Sequence, residues 1–292
     1  MKSVQKLLRN VKNNERKRLL MTFIMSMCGI MLWAQTPNYR MLMDQAKQYF
    51  EQKDYKNAIE CYERIVAELK GTDFERLVPS IRTSIAINNL YLGVAEMKDK
   101  NFTTAKFYLD KALQDAQPDS KTYDMALSWL GQWNSVQSQS IRIDRGDLQQ
   151  ALQFCLEAER YFDLAKAPEK RLKEQLARAD IYQELTHNEE AKGLLKQIMA
   201  ECQDVSDYSF IMGRAAYKWG SLELQEENFQ VAIQLLEQGY DLCAVGSTAS
   251  EKSFAYLCAM KLSQLFTSKI PDDEKAELWS QRAAALESQT AK

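Results

Sequence analysis

Asp54-Tyr55-Lys56-Asn57-Ala58 is the stretch whose reading decides the fold of this chain. A turn residue opens it, an aromatic follows, and an alanine stands one helical turn further on. The arrangement returns, with departures, as Asn101-Phe102-Thr103-Thr104-Ala105, Asp147-Leu148-Gln149-Gln150-Ala151, Asn188-Glu189-Glu190-Ala191 and Asn228-Phe229-Gln230-Val231-Ala232. The alanines are spaced by 47, 46, 40 and 41 residues, and a recurring spacing of this size marks stacked supersecondary units. Twelve residues before each alanine stand Ala46, Gly93, Gln139, Ala179 and Gly220, small in four of five cases. Small residues on two neighbouring helices let the axes approach closely. Asp or Asn in the turn between them is suited to cap the second helix. Tyr55, Phe102 and Phe229 are placed to fill the wedge where the two helices diverge.

Working outward, helical periodicity runs almost without interruption from Tyr39. Six helix pairs are predicted, the last degenerate: 39–52 with 54–70, 80–100 with 102–116, 122–144 with 147–164, 169–185 with 189–202, 208–225 with 229–242, and 250–267 with 272–288. The breaks carry turn chemistry: Gly71-Thr72, Gln117-Pro118-Asp119-Ser120, Arg145-Gly146, Ala167-Pro168, Gly246-Ser247 and Ile270-Pro271. Ten Gly and five Pro in 292 residues disfavour an all-β chain full of tight turns. No break is long enough for a flexible linker, so residues 35–292 read as one continuous repeat domain.

This pattern resembles the tetratricopeptide repeat (TPR) family from about Tyr39 onward. Repeat one reads Leu42, Ala46, Tyr49, Tyr55, Ala58, Tyr62; repeat two reads Leu92, Gly93, Phe102, Ala105, Leu109, Ala112; repeat five reads Trp219, Gly220, Phe229, Ala232, Leu236. Repeat three departs at Gln139, and repeat four has Asn188 where the aromatic belongs. The spacing exceeds the family's 34 residues by 6 to 13, which implies helices longer by roughly one to three turns. The resemblance implies an all-α, right-handed α-α superhelix, a TPR-like solenoid. It assigns structural roles to Ala46, Tyr55, Ala58, Gly93, Phe102, Ala105, Ala151, Ala179, Ala191, Gly220, Phe229 and Ala232.

Residues 1–34 read differently. Seven basic side chains face one acid, Leu19–Trp33 is mostly apolar, and Ala34 follows. That is the plan of a secretory signal, and Ala34-Gln35 resembles the exit of Bacteroidetes signals. The apolar segment spans 15 residues, short for a membrane helix of about 20, although a signal anchor is the alternative. Met27 before Cys28 argues against lipid attachment. The whole chain has 38 basic and 40 acidic side chains; without residues 1–34 the balance is 31 against 39, a net −8. Such a surface is unsuited to phosphate backbones, so nucleic acid is excluded as a partner.

Nothing in the sequence carries recognisable catalysis. The single histidine, His187, lies in a turn with no converging partners. Five cysteines follow the predicted signal, without CxxC or Cys/His ligand spacing. Cys61 and Cys155 read as small buried hydrophobes, while a bridge between Cys243 and Cys258, across the Gly246 loop, is open. Phosphate loops, GxSxG and HExxH are absent. Glu226-Glu227 and Asp272-Asp273 fall at turns and helix starts, where they complement the macrodipole. The expectation is no enzyme, no cofactor and no metal.

In TPR arrays the first, or A, helix of each pair lines the concave face. The resemblance therefore points to Lys47 and Phe50 in repeat one, and to Ile87, Leu90, Val94 and Met97 in repeat two. It points further to Asp180 and Gln183 in repeat four, and to Tyr217 and Ser221 in repeat five. The family's Lys/Asn/Arg carboxylate clamp is not evident. The apolar row of repeat two fits an amphipathic or extended peptide, or else is buried by the array itself. The expected function is an exported scaffold for a protein or peptide partner, in the periplasm or cell envelope. The rival readings are the sensor portion of a split signalling system and a small-molecule or glycan receptor. The last predicted helix, with Ala276, Trp279, Ala283 and Leu286 on one side, reads as a cap on the array.

Overall fold

The structure, a computed structural model, describes residues 37–290, with side chains from 39 to 287. The predicted signal, 1–34, lies outside the described residues. Twelve α-helices are present among them, and no strand. Their order is α1 (Pro37–Glu51), α2 (Tyr55–Leu69), α3 (Val78–Lys98), α4 (Phe102–Asp115), α5 (Lys121–Ile143), α6 (Leu148–Leu164), α7 (Pro168–Glu184), α8 (Asn188–Cys202), α9 (Ser209–Gln225), α10 (Phe229–Ala244), α11 (Ala249–Ser268) and α12 (Asp273–Thr290). Short 3-10 turns at Glu75–Leu77 and Ser206–Tyr208 lead into α3 and α9; neither was foreseen from the sequence. The chain divides into two compact units, one up to Trp133 and one from Asn134, with the division inside α5.

The turns that join A and B helices within a pair are built alike. Lys53, Lys100, Arg145, Thr186 and Glu227 all adopt left-handed backbone, with φ between 52° and 63°. Each lets a following amide reach back five residues: Asp54 N to Tyr49 O (2.8 Å), Asn101 N to Glu96 O (2.9 Å), and His187 N to Tyr182 O (2.8 Å). Gly146 N to Ile141 O and Asn228 N to Glu223 O complete the set, both at 2.8 Å. This is the six-to-one bond of a Schellman C-cap. The second helix is then capped in different ways. Asp54 and Asp147 accept backbone N–H groups of their helices. Asn101 and Asn228 do not, contrary to expectation. Their side-chain amides instead donate to Glu96 and Glu223 on the preceding helix. In the fourth pair the N-cap is His187, so Asn188 occupies the first helical position, where Tyr55, Phe102 and Phe229 stand in other pairs.

Close approach within each pair falls where the small residues are. A Cβ on Gly93 would lie 2.7 Å from Leu109 Cγ and 3.2 Å from Ala105 O. A Cβ on Gly220 would lie 3.0 Å from Leu236 Cγ and 3.3 Å from Ala232 O. Ala46, Ala58, Ala105, Ala151, Ala179, Ala191 and Ala232 are all buried. The third pair corrects the reading of Gln139 as the position facing Ala151. Its turn holds one extra residue, Gly146, which moves the contact back by one. Ser138 is the small residue there, and its hydroxyl donates to Ala151 O at 2.8 Å. The sixth pair repeats this spacing of 13, with Ser263 donating to Ala276 O at 3.1 Å.

The core of the first unit gathers Leu42, Ala58, Tyr62, Ile65, Ile81 and Ile87 from α1, α2 and α3. The second unit carries several clusters in sequence. One joins α7, α8 and α9 around Leu176, Leu195 and Ile211, and another joins α10, α11 and α12 around Leu236, Leu262, Phe266 and Trp279. Trp279, Ala283 and Leu286 are buried on one side of α12.

Candidate functional site

In the first unit, α3 positions the predicted apolar row, and its burial pattern decides the outcome. Every residue from Ser84 to Leu90 is buried, so the helix has no single wet face there. Ile87 is fully buried and Leu90 is 2% exposed. Phe50 is packed edge-on to Tyr55 and Tyr91, at 5.7 and 5.6 Å, and those two tyrosines stack at 5.1 Å. Phe50, Ile87 and Leu90 are core residues and are withdrawn from the partner-facing set. Of the rest, Lys47 is exposed, and Val94 and Met97 are half-buried.

In the second unit the A helices bring a different group together. The end of α5 carries Gln139, Arg142 and Ile143; α7 carries Asp180, Gln183 and Glu184; α9 carries Arg214, Tyr217, Lys218 and Ser221; α11 carries Phe254 and Lys261. Arg142 grips Glu184 with both Nη2 (2.5 Å) and Nε (3.3 Å), a two-pronged arrangement suited to guanidinium and carboxylate. Its Nη2 also lies 3.9 Å from Asp180 Oδ2. Lys218 donates to the other oxygen of Asp180. Tyr217 meets Phe254 edge-on at 5.6 Å, and the Lys261 ammonium sits 5.7 Å from the Tyr217 ring. Arg214 lies over Phe254 at 5.2 Å and over Phe210 at 5.8 Å. The result is a stripe of alternating ion pairs and aromatic contacts across four successive A helices. It is partly wet: Arg142 and Asp180 keep 20% and 29% of their side-chain surface. A cleft of about 340 Å³ opens beside it, lined by Gln139, Arg142, Ile143 and Glu184, and Ile143 is 79% exposed.

Asp180, Gln183, Tyr217 and Ser221 therefore lie on this stripe, Ser221 with its hydroxyl turned to Tyr217 O of its own helix. Arg142, Glu184, Lys218 and Phe254 were missed. Their sequence signal is weak, since charges at helical spacing look the same on any solvated face. Electrostatics follows from the packing. Burial pushes the Tyr217 phenol up and makes the charged form of Arg214 less favourable than usual. Arg142 stays firmly charged because the Glu184 hydrogen bond and the Glu184 and Asp180 charges outweigh its burial.

A second polar group, also missed, is sealed between α5, α6 and α7. Ser135 donates to Glu174 Oε2 at 2.7 Å, and the Cys155 thiol lies 3.5 Å from Glu174 O. Arg178 Nε stands 3.1 Å from Glu159 Oε1. Burial pushes the Glu159 carboxyl up to about 7, only partly offset by Arg178, and it raises Glu174 too. Both are under 10% exposed, so these acids belong to helix packing. Cys61, Cys155, Cys202, Cys243 and Cys258 are buried free thiols. The Cys243–Cys258 bridge left open by the sequence is not formed. Burial raises Cys202 to about 11 and Cys243 to about 12, which keeps them protonated and unreactive. His187 is an exposed turn residue with Nδ1 4.0 Å from Glu190. Among the described residues no cluster of three or more His, Cys, Asp or Glu could hold a metal ion. No described helix is long and apolar enough to cross a membrane.

No protein-family model matches the chain, and no curated protein matches it. Solved structures do. The structure of BtubC (BKLC) from P. vanneervenii is 16% identical with a TM-score of 0.52, covering 88% of this chain and 93% of its own. The C-terminal part of a TPR repeat-containing protein from Cytophaga hutchinsonii is 16% identical with a TM-score of 0.43, covering 84% and 95%. At that identity the first likeness speaks for fold alone, and with the geometry above it places this chain among all-α, TPR-like helical-repeat structures.

Proposed function

We propose that this protein is an exported repeat scaffold that binds a protein or peptide partner along the A helices of its second unit. The observation that carries the reading is the partly wet stripe of Arg142, Asp180, Glu184, Arg214, Tyr217 and Lys218, which combines charges, rings and a neighbouring cleft on one face. An extended peptide recognised by repeat helices needs such a row of spaced polar anchors among apolar contacts. Glu159 and the thiols, whose protonation burial displaces, are sealed in helix packing, and Lys192 is held charged by its ion pairs with Glu189 and Glu226, which supports a binding role over a catalytic one. Nucleic acid remains an unsuitable partner for a chain of this charge.

A photo-crosslinking residue placed at Gln183 or at Ser221 should join the full chain to a discrete partner polypeptide in its native cell envelope. The same residue at Lys196 or Gln234, exposed on B helices α8 and α10, should not. Equal crosslinking from both faces would refute the assignment of the face. Export rests on residues 1–34; mass spectrometry of the envelope fraction should find a chain beginning near Gln35, and an intact Met1 in a soluble cytoplasmic pool would refute it.

A further inference from the structure

Arg214 and Lys261 are the two cations of the stripe that the stripe itself leaves without a carboxylate; Lys261 faces the Tyr217 ring, and Arg214 is the one with a nitrogen shut off from solvent. Arg142 takes Glu184 and one oxygen of Asp180, and Lys218 takes the other. Asp180 is near enough to be felt by Arg214 as a charge, yet its oxygens are already engaged. Among the described residues Arg214 makes no ion pair and no hydrogen bond. Its Nε is shut off from solvent without an acceptor, whereas its terminal nitrogens are not so enclosed. The guanidinium remains charged in proteins, and a half-buried charge without a partner is unfavourable. What holds it in place is a frame of rings, Phe210 and Phe254, with Tyr217 against the latter. The stripe as a whole carries four cations, Arg142, Arg214, Lys218 and Lys261, against Asp180 and Glu184, in a chain whose acids outnumber its bases. The local excess is therefore positive where the molecule is otherwise negative.

We infer that Arg214 and its aromatic frame form a subsite for a carboxylate side chain of the partner, so that the segment bound is an acidic peptide with apolar or aromatic residues beside its acids. The inference rests on the stripe being the binding face. The partner's carboxylate supplies the acceptor that Arg214 lacks, through the terminal nitrogens, and a guanidinium fork is matched to two carboxylate oxygens. Phe210, Phe254 and Tyr217 exclude water around that pair and offer apolar surface to the residue next to it. The excess of positive charge steers an acidic segment toward the stripe and away from the rest of the surface.

The test uses the full chain and two fluorescein-labelled nonapeptides, one alternating glutamate with phenylalanine and the other carrying glutamine in place of glutamate. Fluorescence anisotropy should give at least about tenfold tighter binding of the glutamate peptide, with the preference shrinking as salt is raised. Arg214→Met should abolish the preference while circular dichroism shows unchanged helicity. Arg214→Gln serves the same purpose if the methionine variant does not fold. A preference that survives in these variants would overturn the assignment to Arg214. Equal binding of both peptides by the parent would overturn the acidic preference and leave the broader peptide-binding reading standing. Binding of neither would overturn both.

Discussion

Gly93 and Gly193 both lie inside helices, and a single added methyl group should move stability in opposite directions at the two sites. At Gly193 on α8 nothing lies within 4 Å of the position a Cβ would take. Alanine there recovers the helix-propensity difference from glycine, up to about 1 kcal/mol. At Gly93 on α3 the same Cβ would stand 2.7 and 2.8 Å from Leu109 Cγ and Cδ2 and 3.2 Å from Ala105 O. Comfortable carbon contacts are about 3.5–4.0 Å, so a gap of nearly 1 Å must open. Leu109 is fully buried and cannot swing into water. The carbonyl belongs to the α4 backbone, so relief requires the helices to separate. Overpacking of this kind costs about 1–3 kcal/mol, and with Leu109 and the α4 backbone both blocking relief the upper half of that range applies, so subtracting a propensity gain of about 1 kcal/mol leaves a net loss of about 1–2 kcal/mol. For a domain of this size that corresponds to a fall of several degrees in Tm. Thermal melts followed by circular dichroism at 222 nm, with parent, Gly93→Ala and Gly193→Ala side by side, decide the matter. If Gly93→Ala raises Tm as Gly193→Ala does, α3 and α4 do not approach through this glycine, and the helix pairing drawn here is wrong.

Three further outcomes are expected. Burial raises the Glu159 carboxyl from 4.5 to about 7, so the folded chain holds that proton more tightly than the unfolded one. Its contribution is most favourable below about pH 4.5 and declines as pH rises to 7, by about 3 kcal/mol in all. Glu159→Gln should therefore gain stability relative to the parent between pH 5 and pH 8 in urea titrations; a difference independent of pH would refute this. Thr186, a β-branched residue at φ 61°, carries strain that glycine lacks, and Thr186→Gly should raise stability by about 0.5–1 kcal/mol, a lowered melt being the contrary result. Deleting residues from Ile270 onward removes Trp279 and Ala283 from Leu262 and Phe266, and light scattering should then show self-association at concentrations where the full chain is monodisperse.

The amino-acid sequence by itself determined the helix pairs. Every predicted helix end falls within two residues of the observed one, because turn chemistry and the 3.6-residue period are local properties that a chain carries wherever it folds. It also determined the glycines and alanines of closest approach, since only small side chains permit it. It did not reveal the register of the third pair, because the extra residue Gly146 shifts the contact from Gln139 to Ser138, and either position looks acceptable until the helices are docked. Nor did it reveal which positions lose their water. Ile87 and Leu90 have the spacing of an exposed apolar row, but α3 is covered along both sides and they are core. Glu159 and Glu174 look like an ordinary solvated helix face, but α5, α6 and α7 close over them. Asp180 and Tyr217 could be placed on a face by repeat position, whereas their pairing with Arg142, Lys218 and Phe254, and the isolation of Arg214, could not. Those relations join residues about 40 positions apart on separate A helices, and only tertiary packing sets the few ångströms that decide which charge finds a partner and which is left without one.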